Sequence, residues 1–296
     1  MLHRADPNDP RPALAGNPLV ASLLRENVRF ADGRAIIGLW GDWNALLAEI
    51  PAFGKVLAIS RNSHAVLGLI SEYPEVDSMP CGPCGCAVDG SLEFDFTAWA
   101  RAVAVVEARG SGWLYAVEFS DGSGEVIHKI CLTEESDFEA FRCWVELNQT
   151  LAGLPPGCGN SRRSSWLENS LMLAAAGAEL LQHEALRVFF QMTAAERSAF
   201  RAIVGNDGAV QAVQISPRIF RRNGQWIFAG ERTSGIHVRI ERLAEVFLQN
   251  VGEFLAVKAC DPEGRLVCAV APPRHADCRK WNATLRELAG NFSSSP

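Results

Sequence analysis

The chain has 296 residues, 48% hydrophobic and 21% charged, a composition typical of a globular protein of about two domains. Its net charge of −6 argues against a broad nucleic-acid-binding surface, and no apolar stretch approaches the roughly 20 residues of a membrane-spanning helix. Residues 1–17 are rich in proline and charge and have no apolar core. We therefore predict a disordered leader there, on a cytoplasmic protein.

The first half of the chain predicts a run of antiparallel strands between helices. Asp42 is a plausible N-cap for a helix through WNALLAEI, and FEAFRCWVEL has helical spacing around Trp144. Between these helices lie alternating apolar segments that predict strands, namely KVLAIS, GCAVDGS, SLEFDF, ARAVAVVEA, WLYAVEF and VIHKICL.

The second half follows a linker rich in Gly, Pro and Ser. The segment SWLENSLMLAAAGAELLQHEALRVFFQM predicts a long helix, and Thr193 with Glu196 forms a capping-box pattern for a second, short helix. Strands are predicted at AVQAVQIS, RIFRRNGQWIFA and GIHVRI, and a closing helix at CRKWNATLREL. The predicted boundaries are a first repeat at 18–152, a linker at 153–165 and a second repeat at 166–296.

Two blocks of sequence recur in the same order. Residues 58–66 (AISRNSHAV) match 202–210 (AIVGNDGAV) at an offset of 144, and 112–128 match 252–268 at an offset of 140. The second block has the strand–turn–strand pattern of a hairpin, with D-G-S-G or D-P-E-G at the turn. Matches in the same order at nearly one offset indicate a duplication. We predict an α+β fold of two tandem units, each with antiparallel sheets and helices packed at the ends.

Of the nine cysteines, three form the cluster Cys81-Gly-Pro-Cys84-Gly-Cys86. A C-x-x-C pair can serve redox chemistry or hold one side of a zinc site. No second pair and no H-x3–5-H partner follows, so we favour a Gly-Pro turn leading into a strand.

Several longer segments resemble a known family. The runs DWNALLAEIPAFGKVLAISRN (42–62) and GEVIHKICLTEESDFEAF (124–141) resemble the HemS/ChuS family of bacterial cytoplasmic haemin-handling proteins. In the second half, GNDGAVQAVQI (205–215) and NGQWIFAGERTSGIHVRI (223–240) look like the second half of the same family.

The resemblance implies two stacked antiparallel sheets with helices at the ends. It also implies a pocket between the halves that holds haem through one histidine and several basic side chains. Members of the family are haem chaperones that deliver haem to an oxygenase, and some degrade haem themselves.

The chain departs from the family pattern at the ligand residues. The stretch 166–172 has no histidine where the family has its axial one, and Glu93 replaces an arginine that would meet a haem propionate. The family's histidine-glutamate-lysine motif is replaced by Leu67-Gly-Leu. Arg274, in APPRHADC, corresponds to the family's basic motif near the C-terminus.

His183 is the first candidate for a replacement axial ligand. It lies on the same predicted helix as the family's histidine, and Arg187 follows one turn later. The alternative is an exposed polar helix face. Met172 and Met192 on the same segment could offer a thioether, although core filling is the commoner use of methionine.

His237 is the second candidate. It matches a histidine of the family pattern in the strand GIHVRI, and Arg239 lies on the same face two residues later. This histidine either lines the cleft or pairs with a polar neighbour. His128 also matches the family, but its place in VIHKICL indicates a role within the sheet.

The sequence therefore predicts a protein that binds and traffics haem in iron acquisition. The resemblance implies haem or a related tetrapyrrole as ligand, His183 or alternatively His237 as axial donor, and a haem oxygenase or haem transporter as partner. The basic residues predicted near the haem are Arg187, Arg239 and Arg274. Two alternatives remain: a scaffold for another small molecule or protein, and a haem-degrading enzyme. No nucleophile elbow, P-loop or zinc-protease motif is present.

Overall fold

A computed structural model of the chain describes residues 14, 16–23, 28–79, 83–150 and 178–293. Below, residues up to 150 are the first half and residues from 178 the second half. The strands of the first half are β1 (Val28–Ala31), β2 (Arg34–Leu39), β3 (Gly54–Arg61), β4 (Ala65–Glu72), β5 (Val76–Ser78), β6 (Cys84–Ala87), β7 (Leu92–Asp95), β8 (Arg101–Arg109), β9 (Gly112–Ser120) and β10 (Val126–Ser136).

The second half repeats this pattern. Its strands are β11 (Glu179–Leu181), β12 (Phe200–Gly205), β13 (Ala209–Ile215), β14 (Ile219–Asn223), β15 (Trp226–Gly230), β16 (Ser234–Arg239), β17 (Glu245–Val251), β18 (Phe254–Cys260) and β19 (Leu266–Ala271). The α-helices of the described ranges are α1 (Pro18–Ser22), α2 (Trp43–Ala48), α3 (Phe138–Asn148), α4 (Glu184–Glu196) and α5 (Cys278–Phe292). Among them, no helix is long and apolar enough to cross a membrane.

Three of the helices begin after an aspartate. The carboxylates of Asp42, Asp137 and Asp277 each accept a backbone N–H from the first turn of α2, α3 and α5. These bonds satisfy N–H groups that have no partner inside the helix. The predicted cap at Asp42 is therefore confirmed.

The strands form two antiparallel sheets whose orders reveal the duplication. The ten-stranded sheet runs β1-β2-β8-β9-β10-β3-β4-β16-β15-β14, and the nine-stranded sheet runs β11-β17-β18-β19-β12-β13-β7-β6-β5. Apart from β1, adding nine to each strand number of the first half converts one order into the other. The predicted duplication and the α+β class are confirmed.

Each half lends three strands to the sheet of the other half. Strands β5–β7 of the first half extend the nine-stranded sheet beyond β13, and β14–β16 of the second half extend the ten-stranded sheet beyond β4. The halves of the sequence are therefore not separate bodies in space, because each sheet contains strands from both.

The two sheets stack over two hydrophobic cores, and both cores draw residues from both sheets. The first core joins Val117 and Ile130 of the ten-stranded sheet to Phe94 of the nine-stranded sheet. The second core joins Leu67 and Ile236 to the inner residues of β12, β13 and β17–β19 and to buried residues of α4 and α5. Burial of this apolar area is the main force that holds the sheets together.

Two predicted helices of the second half differ from the structure. Residues 179–181 form the edge strand β11, paired with β17, so the long predicted helix does not run through to Met192. Thr193 is not a cap, because it lies inside α4 and its hydroxyl donates to the Phe190 carbonyl. The helix ends at Arg197, which has a positive φ of 55°. The segments 153–165 and 166–172 lie outside the described residues.

Candidate functional site

The outer face of the nine-stranded sheet carries a second, smaller apolar surface. Along β12, Ala202 and Val204 point into the core, whereas Ile203 points to the opposite face because side chains alternate along a strand. Ile203 clusters there with Ala269 and Ala271 of the neighbouring strand β19. The sheet thus has a hydrophobic side that does not face its partner sheet.

A cavity of about 240 Å³ opens on this outer face. Four of the lining side chains are alanines on strands of the sheet, and Ile203, Val210, Val251 and Phe254 add apolar surface, so the floor is largely apolar. Because β7 pairs with β13, both halves of the chain contribute to the cavity. Its lining comprises Gly90, Ser91 and Glu93 of the first half and Arg201, Ile203, Val210, Ala212, Val251, Phe254, Ala256, Ala269 and Ala271 of the second half.

Two charged side chains of opposite sign line the cavity. Arg201 is partly buried and donates through Nη2 to the Gly90 carbonyl at 3.2 Å. Burial lowers the pKa of the Arg201 guanidinium, and the nearby Arg274 adds to this effect. Burial also raises the pKa of the Glu93 carboxyl, which the positive charge of Arg201 partly offsets. The cavity therefore holds charges that are only partly shielded by water.

Arg274 lies at the edge of the same cavity. Its guanidinium donates to the Asp89 carbonyl, and its backbone N–H donates to Gln214 Oε1 at 3.1 Å. A β-carbon built on Gly90, which lines the cavity, would lie 3.8 Å from Arg274 Nη2. Of the basic residues predicted from the sequence, Arg274 is the one that the structure brings to this cavity.

His183 and Arg187 lie elsewhere. His183 is the residue before α4, and its Nε2 lies 2.9 Å from the Ala244 carbonyl oxygen. Arg187 pairs with Glu184 and donates to Gln191, one turn further along the same helix. Helix α4 packs into the second core, on the other side of the sheet from the cavity.

His237 and Arg239 lie on β16 in the ten-stranded sheet and do not line the cavity. The side chain of His237 is accessible to solvent on one side, and its ring lies 4.7 Å, centroid to centroid, from the Phe228 ring. Loss of water on the covered side lowers the pKa of His237. The Arg239 guanidinium lies 5.5 Å from the Trp226 ring and donates to Gln225.

Glu93 and His237 occupy equivalent places in the two sheets. Glu93 is the cross-strand partner of Val210, and His237 is the partner of Val66. The offset of 144 relates Glu93 to His237 and Val66 to Val210. One offset thus relates the acid on the cavity face to the histidine that the sequence analysis proposed as an alternative ligand.

Arg201 is the site residue that the sequence analysis missed. The repeat could have indicated it, because Leu57 is the residue of the first half that corresponds to Arg201 at the offset of 144. A basic residue that replaces an apolar one within a strand signals a role beyond packing. The placement of β12, β13 and β7 as successive strands of one sheet is a tertiary feature.

His128 serves the sheet, as predicted. It is fully buried; its Nδ1 lies 3.0 Å from Ser60 Oγ and its Nε2 lies 3.2 Å from Tyr73 Oη. Burial lowers the pKa of His128 to about 3, so the ring is neutral. No ligand can reach it without opening the first core.

The cysteine cluster provides no metal site within the part of the chain that the structure describes. Cys84 and Cys86 lie on β6, as the predicted strand requires, whereas Cys81 and Gly82 of the predicted turn lie outside the described residues. Burial raises the pKa of Cys86, which disfavours the thiolate that metals bind. Among the described residues, no three His, Cys, Asp or Glu side chains are grouped to hold a metal ion.

Comparison with known proteins supports the resemblance noted above. A family model described as the haemin-degrading HemS.ChuX domain matches residues 25–147. The first half of the chain is therefore similar to the HemS/ChuX domain. A curated relative, the hemin transport protein HemS of Yersinia enterocolitica, is 32% identical over 106 residues. The hemin transport protein HmuS of Yersinia pestis is 30% identical over 106 residues. Each match spans 35% of this chain and 30% of the relative's length.

Solved structures extend the likeness to both halves of the chain. Holo-PhuS, a heme-binding protein from Pseudomonas aeruginosa, aligns with a TM-score of 0.73 and 21% identity, covering 88% of this chain and 87% of that one. The heme-degrading enzyme ChuS of Escherichia coli O157:H7 also aligns with a TM-score of 0.73, at 16% identity and the same coverage. At these identities the structures establish the fold of both halves.

Proposed function

We propose that this chain binds haem against the outer face of the nine-stranded sheet and hands it on in the cytoplasm, as a haem-trafficking protein in iron acquisition. The observation that carries the proposal is the cavity itself, in which a largely apolar floor with four alanines lies beside the cations Arg201 and Arg274. The relatives in Yersinia, named as hemin transport proteins, support the same function.

The residues of the cavity fit the two unlike parts of a haem. The porphyrin ring is flat and apolar, and Ala212, Ala256 and Ala269 allow a plate to approach the strands closely. Its propionates are carboxylates, which guanidinium groups bind in charge-assisted hydrogen bonds. A volume of about 240 Å³ is below the roughly 300–1,000 Å³ of drug-sized ligand pockets, so only part of the macrocycle would lie within it.

The iron of a bound haem needs an axial donor. His183 or His237 was predicted from the sequence, and neither lines the cavity. The spectra of His183→Ala and His237→Ala test that assignment: loss of the haem spectrum in either variant would support it, and retention in both would exclude it.

Haemin titration tests the function. We expect a saturable Soret band distinct from that of free haemin. Arg201→Ala should weaken binding by about 10- to 100-fold, because charged hydrogen bonds contribute about 1.5–3 kcal/mol. Arg221→Ala, an exposed arginine on β14, is the matched control and should bind as the wild type does. Non-saturable uptake, or equal weakening by both variants, would contradict the proposal.

Trafficking and degradation are separated by the fate of the bound haem. A trafficking protein should release haem intact to an apo-globin acceptor, or faster to a haem oxygenase or transporter partner. Under a reductant with catalase present, the Soret band should persist without biliverdin-like absorbance. Decay of the band to such a product would identify haem degradation instead.

A further inference from the structure

The cavity contains one unusual polar group, the carboxylate of Glu93. Of the side chains that line the cavity, only those of Ser91, Glu93 and Arg201 are polar. A guanidinium has no lone pair to offer a metal, and a serine hydroxyl is a weak neutral donor. Glu93 is therefore the strongest electron-pair donor on the cavity surface.

The position of Glu93 is fixed by the sheet, and the described part of the chain gives its carboxylate no hydrogen-bond partner. Strand β7 is held on both sides, with Val210 of β13 and Cys86 of β6 as the partners of Glu93. The side chain is partly buried, yet among the described residues its carboxylate forms no hydrogen bond and no ion pair, and Arg201 acts on it only at longer range. A carboxylate held in this way is available to a ligand.

The charges around the cavity are opposite in sign to those of ferric haem. The iron(III)–porphyrin core carries one net positive charge, and the two propionates carry two negative charges. The site offers the negative Glu93 on β7, near the positive Arg201 on β12 and Arg274, which follows β19. A neutral porphyrin core, with ferrous iron or no metal, would leave Glu93 without a counter-charge.

The duplicated face of the other sheet lacks this combination. The counterpart of Arg201 there is Leu57, and the counterpart of Ala269 is Lys129, whose Nζ lies 2.6 Å from Glu118. A long paired side chain thus occupies the place where Ala269 leaves room. Of these two equivalent faces, the outer face of the nine-stranded sheet is the one that carries the cavity, the cations and the acid together.

From this arrangement, and resting on the proposed function, we infer that Glu93 is the iron-facing donor of the site and selects ferric haem through its carboxylate oxygen. Ferric iron is a hard cation, and an anionic oxygen is an established type of axial haem ligand. The acid that replaces the family's basic residue therefore faces the metal, and Arg201 with Arg274 takes the propionates.

The test compares haemin with metal-free protoporphyrin IX, using wild type, Glu93→Gln and the control Glu125→Gln, an exposed acid in a turn. Glu93→Gln removes the charge while keeping the shape. We expect it to weaken haemin binding about tenfold or more and to change the ferric absorption and EPR spectra. Protoporphyrin IX affinity should stay within about twofold. Glu125→Gln should leave both ligands unaffected.

The reduction potential of the bound iron gives a second readout. A carboxylate facing the iron stabilises the ferric state, so Glu93→Gln should raise the potential by about 59 mV for each tenfold loss of ferric preference. Glu93→His should replace the oxygen-ligated spectrum by a nitrogen-ligated one. His183→Ala and His237→Ala should retain the wild-type spectrum.

The outcomes separate this inference from the proposed function. If wild type binds haemin but Glu93→Gln keeps its affinity, spectrum and potential, the iron assignment is wrong while haem binding stands. Equal weakening of haemin and protoporphyrin IX would assign Glu93 a general role in shaping the cavity and would also overturn it. If wild type binds neither ligand, the proposed function itself fails.

Discussion

Asn62 and Asn206 tie the two halves of the chain together through matching hydrogen bonds. Each side-chain amide donates both hydrogens to backbone carbonyls of the opposite half, and each Oδ1 accepts two backbone N–H groups of its own turn. The acceptors are Gly205 and Val267 for Asn62, and Arg61 and Ile127 for Asn206, all at 2.8–2.9 Å. The offset of 144 relates the two asparagines, so one ancestral contact is made twice.

We expect either Asn62→Ala or Asn206→Ala to lower the free energy of unfolding by about 2–3 kcal/mol. Each substitution leaves two backbone carbonyls and two turn N–H groups without this partner. Urea denaturation measures the loss. Asn223→Ala, at an exposed turn, is the control and should change stability by less than about 0.5 kcal/mol. An equally small effect at Asn62 and Asn206 would show that these bonds do not hold the halves together.

His128 should make the folded state sensitive to acid. Its pKa is about 3 in the folded protein against an ordinary 6.5, so below pH 6.5 only the unfolded state gains the proton. Stability is therefore lost as the pH falls from 6.5 towards 3, by up to about 1.4 kcal/mol per pH unit. Urea denaturation at pH 7, 6 and 5 measures the slope. His128→Gln should be less stable at pH 7 but have a shallower slope, whereas an unchanged slope would assign the acid sensitivity to other groups.

Filling the cavity should block haem without unfolding the protein. Ala212 lines the cavity and is partly exposed, so Ala212→Leu adds bulk to the floor at little cost in packing. We expect haemin affinity to fall by more than about tenfold, because the plate can no longer approach the sheet. Ala108→Leu, exposed on β8, adds the same bulk elsewhere and should bind normally. Unchanged binding by Ala212→Leu would place the haem on another surface.

Two glycines should respond to alanine in opposite directions. A β-carbon at Gly230 would lie 2.5 Å from the Ser234 carbonyl oxygen and 2.6 Å from Gly235 Cα, both backbone atoms. Gly230→Ala should therefore cost about 1–3 kcal/mol in the exchanged hairpin β15–β16. Gly290, in α5, has open space around its Cα, so Gly290→Ala should stabilise the protein by about 0.5–1 kcal/mol. Thermal unfolding distinguishes the two, and destabilisation at Gly290 would be contrary to its helical environment.

Local patterns predicted most elements correctly because their causes are local. The Asp42 cap, the strands that include KVLAIS and WLYAVEF, and the helices around Trp144 and Trp281 appear where predicted. The error at 179–181 has a tertiary cause, since these residues gain a strand partner in β17 that outweighs their helix preference. Thr193 matched a cap pattern, but its hydroxyl bonds back within the helix instead.

The sequence by itself determined the duplication, the α+β class and the resemblance to haemin-handling proteins, because repeats and alternation are written into neighbouring residues. Only the tertiary structure decided which residues share a site. Glu93 and Arg201 are more than a hundred positions apart and meet because β7 crosses into the sheet of the other half. His183 directly precedes helix α4 and Arg187 lies on it, and this helix packs on the far side of that sheet. Strand exchange depends on contacts between distant segments, and no local pattern of side chains encodes them.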